Sequence, residues 1–404
     1  MADAYDVIVV GARCAGSPTA MLLARKGYRV LVVDRSTFPS DTVSTHFIHA
    51  PGVDALRRWG LLDKVIASGC PAVDTYSFDF GPIAISGTPL PTGGSSIAYA
   101  PRRTVLDTLL VDAATAAGAE VREGFTVDEI IIEDGHVKGI RGHDRDGHRV
   151  TAHARVVIGA DGANSRVAAA VQAERYNEKP TLQAGFYSYF TELPLNGFEI
   201  TIRPDRGWAA LPTNDGLTLV VVGWPYAEHA ANKVDVEGNF FKSLELSPDF
   251  AERVRAATRV DRFHGSPVPN FFRKPYGPGW VLVGDAGYTK DPITAQGITN
   301  AFRDAELCAS ALDATFAGGQ SFDDAMGGYQ AERDTCSLPM YEFTAQLATL
   351  EPPPPELQRL LGGIYGNQAA MDAFVSVTAG TLSPVEFFDP DNIAALMASP
   401  AVSH

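Results

Sequence analysis

The sequence predicts an α/β fold built from a domain with a parallel sheet, an antiparallel-sheet domain interleaved with it, and a C-terminal helical segment. Three observations support this prediction. A glycine-rich turn joins two buried-type strands near the N-terminus, two later apolar strands end in aspartate, and the segments between them alternate apolar and polar residues. With 404 residues, of which 45% are hydrophobic, the chain can form two or three domains with large cores.

The first element is a strand, turn, helix and strand that begins VIVVGARCAGSPTA and ends YRVLVVD. Gly11 and Gly16 stand where small residues let a helix pack against a strand, and Asp34 ends the second strand, where a carboxylate can accept hydrogen bonds from a ribose diol. Arg13 replaces the second glycine of the G-x-G-x-x-G pattern, and its guanidinium can point outward or contact phosphate oxygens. We predict a Rossmann-like pyrophosphate site that tolerates Arg13; the alternative is a unit that binds no ligand.

Two later strands end in aspartate. RVVIGADGANSRV places Asp161 after one of them, and GWVLVGDAGYTKDPITAQGITNAFRDAELCASAL places Asp285 after the other. The second stretch continues through a proline loop into a helix that begins near Gly297. Because ligands of open α/β sheets bind at the carboxyl ends of the strands, both aspartates are predicted to lie near the same ligand as the first turn.

In this order, the three stretches resemble the flavoprotein monooxygenase superfamily that includes p-hydroxybenzoate hydroxylase and is related to geranylgeranyl reductases and flavin-dependent halogenases. The resemblance covers residues 5–312. It implies bound FAD, with NAD(P)H as the electron donor, held in a surface groove because no second glycine-rich fingerprint follows a strand. It also implies that O2 is used to hydroxylate or epoxidise a small apolar or aromatic molecule through a flavin C4a-hydroperoxide.

The resemblance assigns the cofactor contacts to the three stretches and to the helix that begins in APRRTVLDTLL. The implied cofactor residues are Gly11, Arg13, Ala15, Gly16, Asp34, Arg35, Arg102, Arg103, Asp161, Gly284, Asp285, Pro292, Gly297 and Ile298. Asp285 would accept a hydrogen bond from the ribityl chain. The helix that begins at Gly297 would direct its positive end at the flavin N1–C2=O edge, which becomes anionic on reduction.

The domain boundaries follow from where strand-like alternation interrupts the nucleotide-binding stretches. The predicted FAD-binding domain comprises residues 1–72, 101–180 and 276–330, the substrate domain comprises residues 73–100 and 181–275, and residues 331–404 form a helical region. The antiparallel sheet of the substrate domain would cover the flavin ring with one face. The helical region would either close the substrate pocket or form a dimer face.

The predicted substrate site is apolar and aromatic. Tyr187, Trp208 and Trp224 are the candidate substrate contacts on the strands, and His46, in THFIHAPG, is the candidate catalytic side chain near the reactive face of the flavin. Neither a metal cluster nor a Ser-His-Asp set stands at a recognisable spacing, so the flavin is the predicted reactive centre.

Composition excludes several other classes of protein. The net charge of −15 and the pI of about 5.0 argue against a nucleic-acid partner, and the four cysteines show no disulfide or zinc pattern. The sequence contains no uninterrupted apolar run long enough for a membrane span, and we expect a soluble, cytoplasmic protein. The sequence leaves the oligomeric state open.

Other functions on the same fold remain alternatives. The first is an FAD-dependent reductase of isoprenoid double bonds, although Ala209 stands where that branch carries a tryptophan. A halogenase would need a tryptophan motif and a lysine near the flavin, and neither is evident. A prenyl-binding carrier without flavin, like the GDP dissociation inhibitors, would have no use for Asp285 or for the helix start at Gly297.

Overall fold

The computed structural model describes residues 4–398 of the chain. Its strands are β1 (Ala4–Val10), β2 (Val30–Asp34), β3 (Ala72–Val73), β4 (Tyr76–Asp79), β5 (Ala84–Gly87), β6 (Ala98–Tyr99), β7 (Glu120–Glu123), β8 (Thr126–Glu133), β9 (His136–His143), β10 (Arg149–Gly159), β11 (Arg175–Lys179), β12 (Gln183–Thr191), β13 (Phe198–Arg203), β14 (Arg206–Pro212), β15 (Thr218–Pro225), β16 (Thr258–Arg259), β17 (His264–Pro267), β18 (Asn270–Arg273), β19 (Tyr276–Gly277), β20 (Trp280–Leu282) and β21 (Tyr288–Thr289).

The helices alternate with the strands in the first part of the chain and dominate its end. They are α1 (Gly16–Arg25), α2 (Ala50–Trp59), α3 (Leu62–Ala67), α4 (Arg103–Ala116), α5 (Arg166–Ala170), α6 (His229–Asn232), α7 (Val236–Leu244), α8 (Pro248–Ala256), α9 (Gly297–Phe316), α10 (Phe322–Leu347), α11 (Pro355–Ile364), α12 (Gln368–Ala379), α13 (Pro384–Phe387) and α14 (Pro390–Ala398). None of these helices is long and apolar enough to cross a bilayer.

The first sheet has a parallel core in the order β7-β2-β1-β10-β20, with β19 at one edge and the β8–β9 hairpin attached to β10. β1 and β2 are continuous apolar runs because both faces of the sheet are covered. One face packs against α1, α4 and α9, and the other packs against the β8–β9 hairpin. The carboxyl ends of β1, β2, β10 and β20 therefore carry the turns in which the predicted site residues lie.

The second sheet has the order β16-β12-β15-β14-β13-β4-β5, with β17 paired to β12. Its pairs are antiparallel except β4 with β13, which run parallel. Phe186 and Trp224 pack with α7 and α8 on one face of the sheet, whereas Tyr187 and Leu211 face α11 and α12 on the other. The mixed α/β class, with its parallel sheet, antiparallel sheet and C-terminal helices, is therefore as predicted.

The C-terminal helices pack on the second sheet. α10 runs continuously across the predicted boundary between residues 330 and 331, packs against α9, and ends at Leu347. Four prolines at 352–355 then lead into α11. Helices α11 to α14 join the apolar cluster of the second sheet through Leu360, Phe374 and Phe387. The helical region thus covers one face of that sheet.

Asp291, at the start of the turn before α9, is connected to β12 of the second sheet by a buried hydrogen bond from the side-chain amide of Gln183. Its Oδ1 also accepts a hydrogen bond from the backbone N–H of Ile293 at 3.0 Å, and its buried Oδ2 has no partner. Burial raises the pKa of Asp291 to about 7, against the two hydrogen bonds that lower it. The folded protein therefore favours the protonated acid at this position.

We expect Asp291→Asn to stabilise the protein increasingly as the pH rises. The carboxyl titrates near pH 4 in the unfolded protein and near pH 7 in the folded protein. Burial of the charged carboxylate therefore lowers the free energy of unfolding by nothing in acid, by an increasing amount between these pH values, and by its full amount above about pH 7. The asparagine keeps the accepting oxygen and removes the charge. Urea denaturation should show that the variant's gain in unfolding free energy is roughly 2 kcal/mol larger at pH 8 than at pH 5.

Asp313→Asn is the matched control, because a hydrogen bond from Lys26 lowers the pKa of the Asp313 carboxyl in the folded state. That variant should show no gain as the pH rises. If Asp291→Asn gives the same gain at both pH values, Asp291 is not a buried acid with a raised pKa.

Candidate active site

The first turn is closely packed against the strand end that carries Asp161. Gly11 has a φ of 103°, and a Cβ there would overlap the backbone oxygen of Ala160. A Cβ at Gly16 would overlap the backbone oxygen of Gly11. Both positions therefore need glycine, as the fingerprint predicted. Helix α1 begins at Gly16, so its free backbone N–H groups lie at the strand ends.

Asp34 ties the end of β2 to this turn. Its carboxylate accepts hydrogen bonds from the backbone N–H of Ala12 at 2.8 Å and of Ser36 at 2.7 Å. The next residue, Arg35, is exposed. Asp34 is therefore held at the opening of the turn with its position set by backbone donors.

Arg13 does not extend freely into solvent. Its guanidinium forms an ion pair with the fully buried carboxylate of Asp107 and donates to the Ser40 hydroxyl at 2.9 Å. Arg103 also pairs with Asp107, at 2.9 Å, and the Cys14 thiol lies 3.4 Å from the same carboxylate. Asp107 on α4 thus joins the first turn to the start of that helix, a role that the sequence analysis did not identify.

We expect Arg13→Gly, which restores the usual fingerprint, to lower the free energy of unfolding by about 2 kcal/mol. The variant breaks one of the two ion pairs of a buried carboxylate, and Arg103 keeps the other. The dissociation constant for FAD should change less than threefold, since the guanidinium is directed to Asp107 and Ser40. Urea denaturation and FAD titration measure the two effects separately. Loss of FAD at unchanged stability would instead make Arg13 a phosphate ligand.

The strand end of β20 meets the first turn. Gly284 has a φ of 57°, and a Cβ there would lie 2.8 Å from the Cβ of Ala15. Asp285 follows, and the dense protein around its carboxyl raises its pKa while the charges of Arg103 and Lys290 act in the opposite direction. Asp285 is nevertheless accessible, although Gly284 and the residue after Asp285 are buried. Its carboxylate therefore faces an opening in the protein.

α9 begins at the same opening. Pro292 starts a short 3-10 turn, and the chain then enters α9 at Gly297, followed by the buried Ile298. Gly297 is accessible, and no atom lies within 4 Å of the position that its Cβ would occupy. The free backbone N–H groups at the start of this twenty-residue helix are therefore accessible. A side chain at position 297 would obstruct the approach to them.

Asp161 lies on the other side of the first turn. One carboxylate oxygen accepts a hydrogen bond from the backbone N–H of Arg166 at 2.6 Å, and the other is buried without a partner. Burial raises the pKa of Asp161, against the hydrogen bonds from Ser165 and Arg166. The carboxylate therefore serves first to hold the start of α5 against the strand end.

His46 is buried in the interior of the protein. Its backbone has a φ of 61°, and the side chain is fully buried, stacked on Tyr189 with a ring separation of 5.8 Å and hydrogen-bonded to its hydroxyl. Burial and the nearby charges of Arg103 and Arg102 lower the pKa of His46 to about 3. The ring is thus neutral and enclosed, whereas the neighbouring Thr45 lines a cavity. A role for His46 near the reaction centre stays a prediction.

Arg102, the other candidate at the start of α4, lies over the ring of Tyr189. Its guanidinium carbon is 4.7 Å from the ring centroid, and it pairs with Asp41 at 3.4 Å. Of the two arginines, Arg103 is the one buried beside the first turn, and its charge acts on Asp285. Arg103 and Leu106 are both buried on α4.

A cavity of about 1020 Å³, here called the apolar cavity, lies between the second sheet and the C-terminal helices. Residues 292–295, which lead into α9, line one part of it. The strand side is lined by Gln183, Gly185, Ile200, Ile202, Trp208, Ala209, Leu211 and Val221, and the helix side by Phe343, Leu347, Leu350, Leu357, Leu360, Phe388 and Ile393. The cavity connects the start of α9 with the face of the sheet that the helical region covers.

Two of the three predicted substrate residues, Trp208 and Trp224, pack on the same face of the second sheet. Trp208 borders the apolar cavity, but its ring is buried against Phe250 of α8, with 6.2 Å between the ring centroids. Tyr187 is buried against His264, with 5.4 Å between the ring centroids, and does not line it. Trp224 packs on Phe186 in the cluster under α7 and α8, on the opposite face of the sheet. Trp224 is therefore a core residue, because strand alternation turns it away from the cavity.

Lys290 is a buried cation that the sequence analysis did not identify. Its ammonium group has no hydrogen-bond partner among the described residues. Burial and the charge of Arg303 lower its pKa to about 7, while Asp304 and Asp285 act in the opposite direction. A lysine in a loop gives no sequence signal of burial, because only the packing of α9 and α10 encloses it.

One set of side chains has metal-ligand spacing. The three side chains are those of Asp144, Asp146 and His148, in the turn between β9 and β10. The Nδ1 of His148 is hydrogen-bonded to a carboxylate oxygen of Asp144 at 3.0 Å. They are exposed or half-buried, and their mutual hydrogen bonds account for their proximity. This set is separate in sequence from every predicted site residue.

Comparison with known proteins decides the family. The family model described as FAD binding domain matches residues 4–344. The chain belongs to the FAD binding domain family. This flavoprotein is therefore an FAD-dependent oxidoreductase, as the sequence analysis predicted, and the glycine turn, the Asp285 strand end and the α9 start all lie within the matched residues.

Relatives of this flavoprotein include enzymes with different reactions. It is 28% identical over 339 residues to a digeranylgeranylglycerophospholipid reductase of Methanocella arvoryzae, a match that covers 82% of this chain and 83% of the relative. It is 26% identical over 378 residues to a rifampicin monooxygenase of Streptomyces venezuelae, covering 88% of this chain and 74% of the relative. A myxobacterial chondrochloren halogenase shares its fold, with a TM-score of 0.81, 22% identity, and coverage of 98% and 96%.

Proposed function

We propose that this flavoprotein is a monooxygenase that uses NAD(P)H and O2 to oxidise an apolar organic molecule. The observation that carries the proposal is the apolar cavity, which residues 292–295 line just before the start of α9. FAD-dependent reduction of isoprenoid double bonds is the second candidate, favoured by the archaeal reductase among the relatives.

The described residues fit FAD. The backbone N–H groups at the start of α1, with Arg103 beside them, would hold the pyrophosphate, and Asp34 would accept the ribose hydroxyls. Asp285, accessible in an otherwise buried segment, would accept a hydroxyl of the ribityl chain. Gly297 would leave room for the edge of the flavin ring at the positive end of α9, because no atom of the described residues lies within 4 Å of its Cβ position.

When bound, FAD supplies the redox chemistry by accepting electrons from NAD(P)H and passing them to O2. The chain's own contribution is positioning and exclusion of water. The α9 N-terminus stabilises negative charge at its accessible end, and the cavity between the sheet and helices orients an apolar substrate in a dry environment. None of these roles requires a protein acid or base next to residues 292–295.

The cavity lining favours oxygen transfer over double-bond reduction. Saturating an isolated double bond requires a proton as well as a hydride, and a positioned acid must deliver that proton. Among the described residues, the ionisable side chains that line the cavity are Glu351, before α11, and Glu356 and Arg359, within α11. All three are exposed. The nearby His46 is neutral and enclosed. Among the described residues, no interior side chain of the lining is itself an acid. Asp291, which favours the protonated form, is hydrogen-bonded to the lining residue Gln183 but does not line the cavity.

The test uses the purified holoprotein with NADH or NADPH, isotopically labelled O2, and two probes that reflect the relatives, geranylgeraniol and rifampicin. A product that has gained one labelled oxygen atom from either probe supports monooxygenation. A product of geranylgeraniol that has gained two hydrogens, formed equally well without O2, overturns it in favour of the reductase. Anaerobic bleaching of the flavin by NADH or NADPH tests the electron donor independently of either probe.

A further inference from the structure

The apolar cavity has two walls of different origin along the chain. The strand wall consists of β12 to β15, which lie inside the matched residues 4–344. The helix wall runs from Gln346 to Met397 and so lies beyond the last matched residue. The contacts of a bound molecule with the helix wall therefore lie outside the matched FAD binding domain.

The cavity is larger than a single aromatic ring requires. Its volume is about 1020 Å³. With a water molecule occupying about 30 Å³ in the liquid, this space corresponds to roughly 30 non-hydrogen atoms. A phenol would leave most of the apolar lining in contact with water, which is unfavourable at about 25 cal/mol per Å². A ligand that fills the space must therefore be an extended chain or a multi-ring molecule.

Charge in the lining is confined to the exposed rim. Glu351, Glu356 and Arg359 have mixed sign and lie in or next to the proline run that borders the cavity. The interior lining offers neutral polar groups only, such as Gln183 and Thr201. The part of a ligand inside the cavity must accordingly be uncharged, and any strongly polar group would lie at the rim.

We propose that the helix wall, residues 346–397, is the specificity-determining surface of this enzyme and that the substrate is an uncharged apolar molecule of about thirty non-hydrogen atoms, of isoprenoid or polycyclic kind. This inference rests on the proposed function for its reaction and on the cavity for its substrate class. It departs from the expectation of a small substrate, because the helical region encloses space that the strands alone would leave open to solvent.

The test is ligand binding to the FAD-loaded protein, measured by calorimetry with geraniol as the short probe and geranylgeraniol as the long one. Leu357→Trp adds bulk to the helix wall, and Gln358→Trp on the same helix is the control, because Gln358 is exposed and does not line the cavity. Leu357→Trp should weaken geranylgeraniol binding at least tenfold and geraniol binding less than twofold. Gln358→Trp should change neither.

Two results would overturn the inference: geranylgeraniol that does not bind the wild-type protein, or an affinity for it that Leu357→Trp leaves unchanged. If Leu357→Trp lowered the affinities for geraniol and geranylgeraniol by the same factor, the helix wall would not discriminate between ligands by length. That result would also contradict the inference. Binding is measured without turnover, so the outcome is independent of the reaction. A probe that binds as expected and is reduced rather than oxygenated would leave this inference standing and overturn only the proposed function.

Discussion

Replacing Gly297 by valine is expected to abolish tight FAD binding while the protein remains folded. No atom lies within 4 Å of a Cβ at this position, so the added side chain strains nothing in the protein and projects into the opening at the start of α9. A cofactor ring edge that approaches the helix N-terminus would overlap it. Overpacking of this kind costs about 1–3 kcal/mol, so the dissociation constant for FAD should rise roughly 10- to 100-fold.

Gly328→Val is the matched control for this experiment. Gly328 is also an accessible helical glycine with no atom within 4 Å of its Cβ position, but it lies in α10, away from the α9 start. Both variants should unfold at similar temperatures, and only Gly297→Val should lose FAD when the purified proteins are titrated with it. Retention of full FAD affinity by Gly297→Val would mean that the cofactor does not approach this helix end.

Asp107→Ala is expected to lower the free energy of unfolding by about 3 kcal/mol. The carboxylate is fully buried and pairs with both Arg13 and Arg103, and Arg103 is itself buried. Its removal leaves one guanidinium enclosed without a counter-charge and disconnects α4 from the first turn. Urea denaturation of the apoprotein measures this effect without a contribution from bound FAD.

Glu129→Ala provides the comparison, because Glu129 forms an exposed ion pair with Arg141 at 2.8 Å. Exposed pairs contribute less than about 1 kcal/mol, so this variant should be nearly as stable as the wild type. Equal losses for the two variants would show that Asp107 does not act as a buried counter-ion. In that case, the connection between the first turn and α4 would depend on packing alone.

The parallel sheet and its turns were predictable because their signals are local. A continuous apolar strand, a glycine that must follow it and an aspartate at the next strand end lie within a few residues of one another. The requirement for glycine at Gly11 and Gly16 could be deduced from the fingerprint before their clashes with Ala160 and Gly11 were seen. The start of α9 at Gly297 was likewise evident from the proline loop before it.

The side-chain arrangement of the site was not predictable, because it depends on residues far apart in the chain. Arg13 meets Asp107 across 94 positions, and nothing in either local sequence indicates the pair. His46 has a positive φ and stacks on Tyr189, 143 positions away, and no local pattern indicates this contact. Trp208 and Trp224 both carry the strand signal, and the packing of α7 and α8 buries the face of the sheet on which both lie.

The order of the two cavity walls along the chain has a consequence for protein engineering. The strand wall lies between the nucleotide-binding segments, so substitutions there risk disturbing the fold, whereas the helix wall is one continuous stretch that follows them. A library confined to residues 346–397 therefore changes one wall of the cavity and leaves every residue assigned to the cofactor as it is. Such a library is the starting point for altering the range of bound molecules without rebuilding the redox centre.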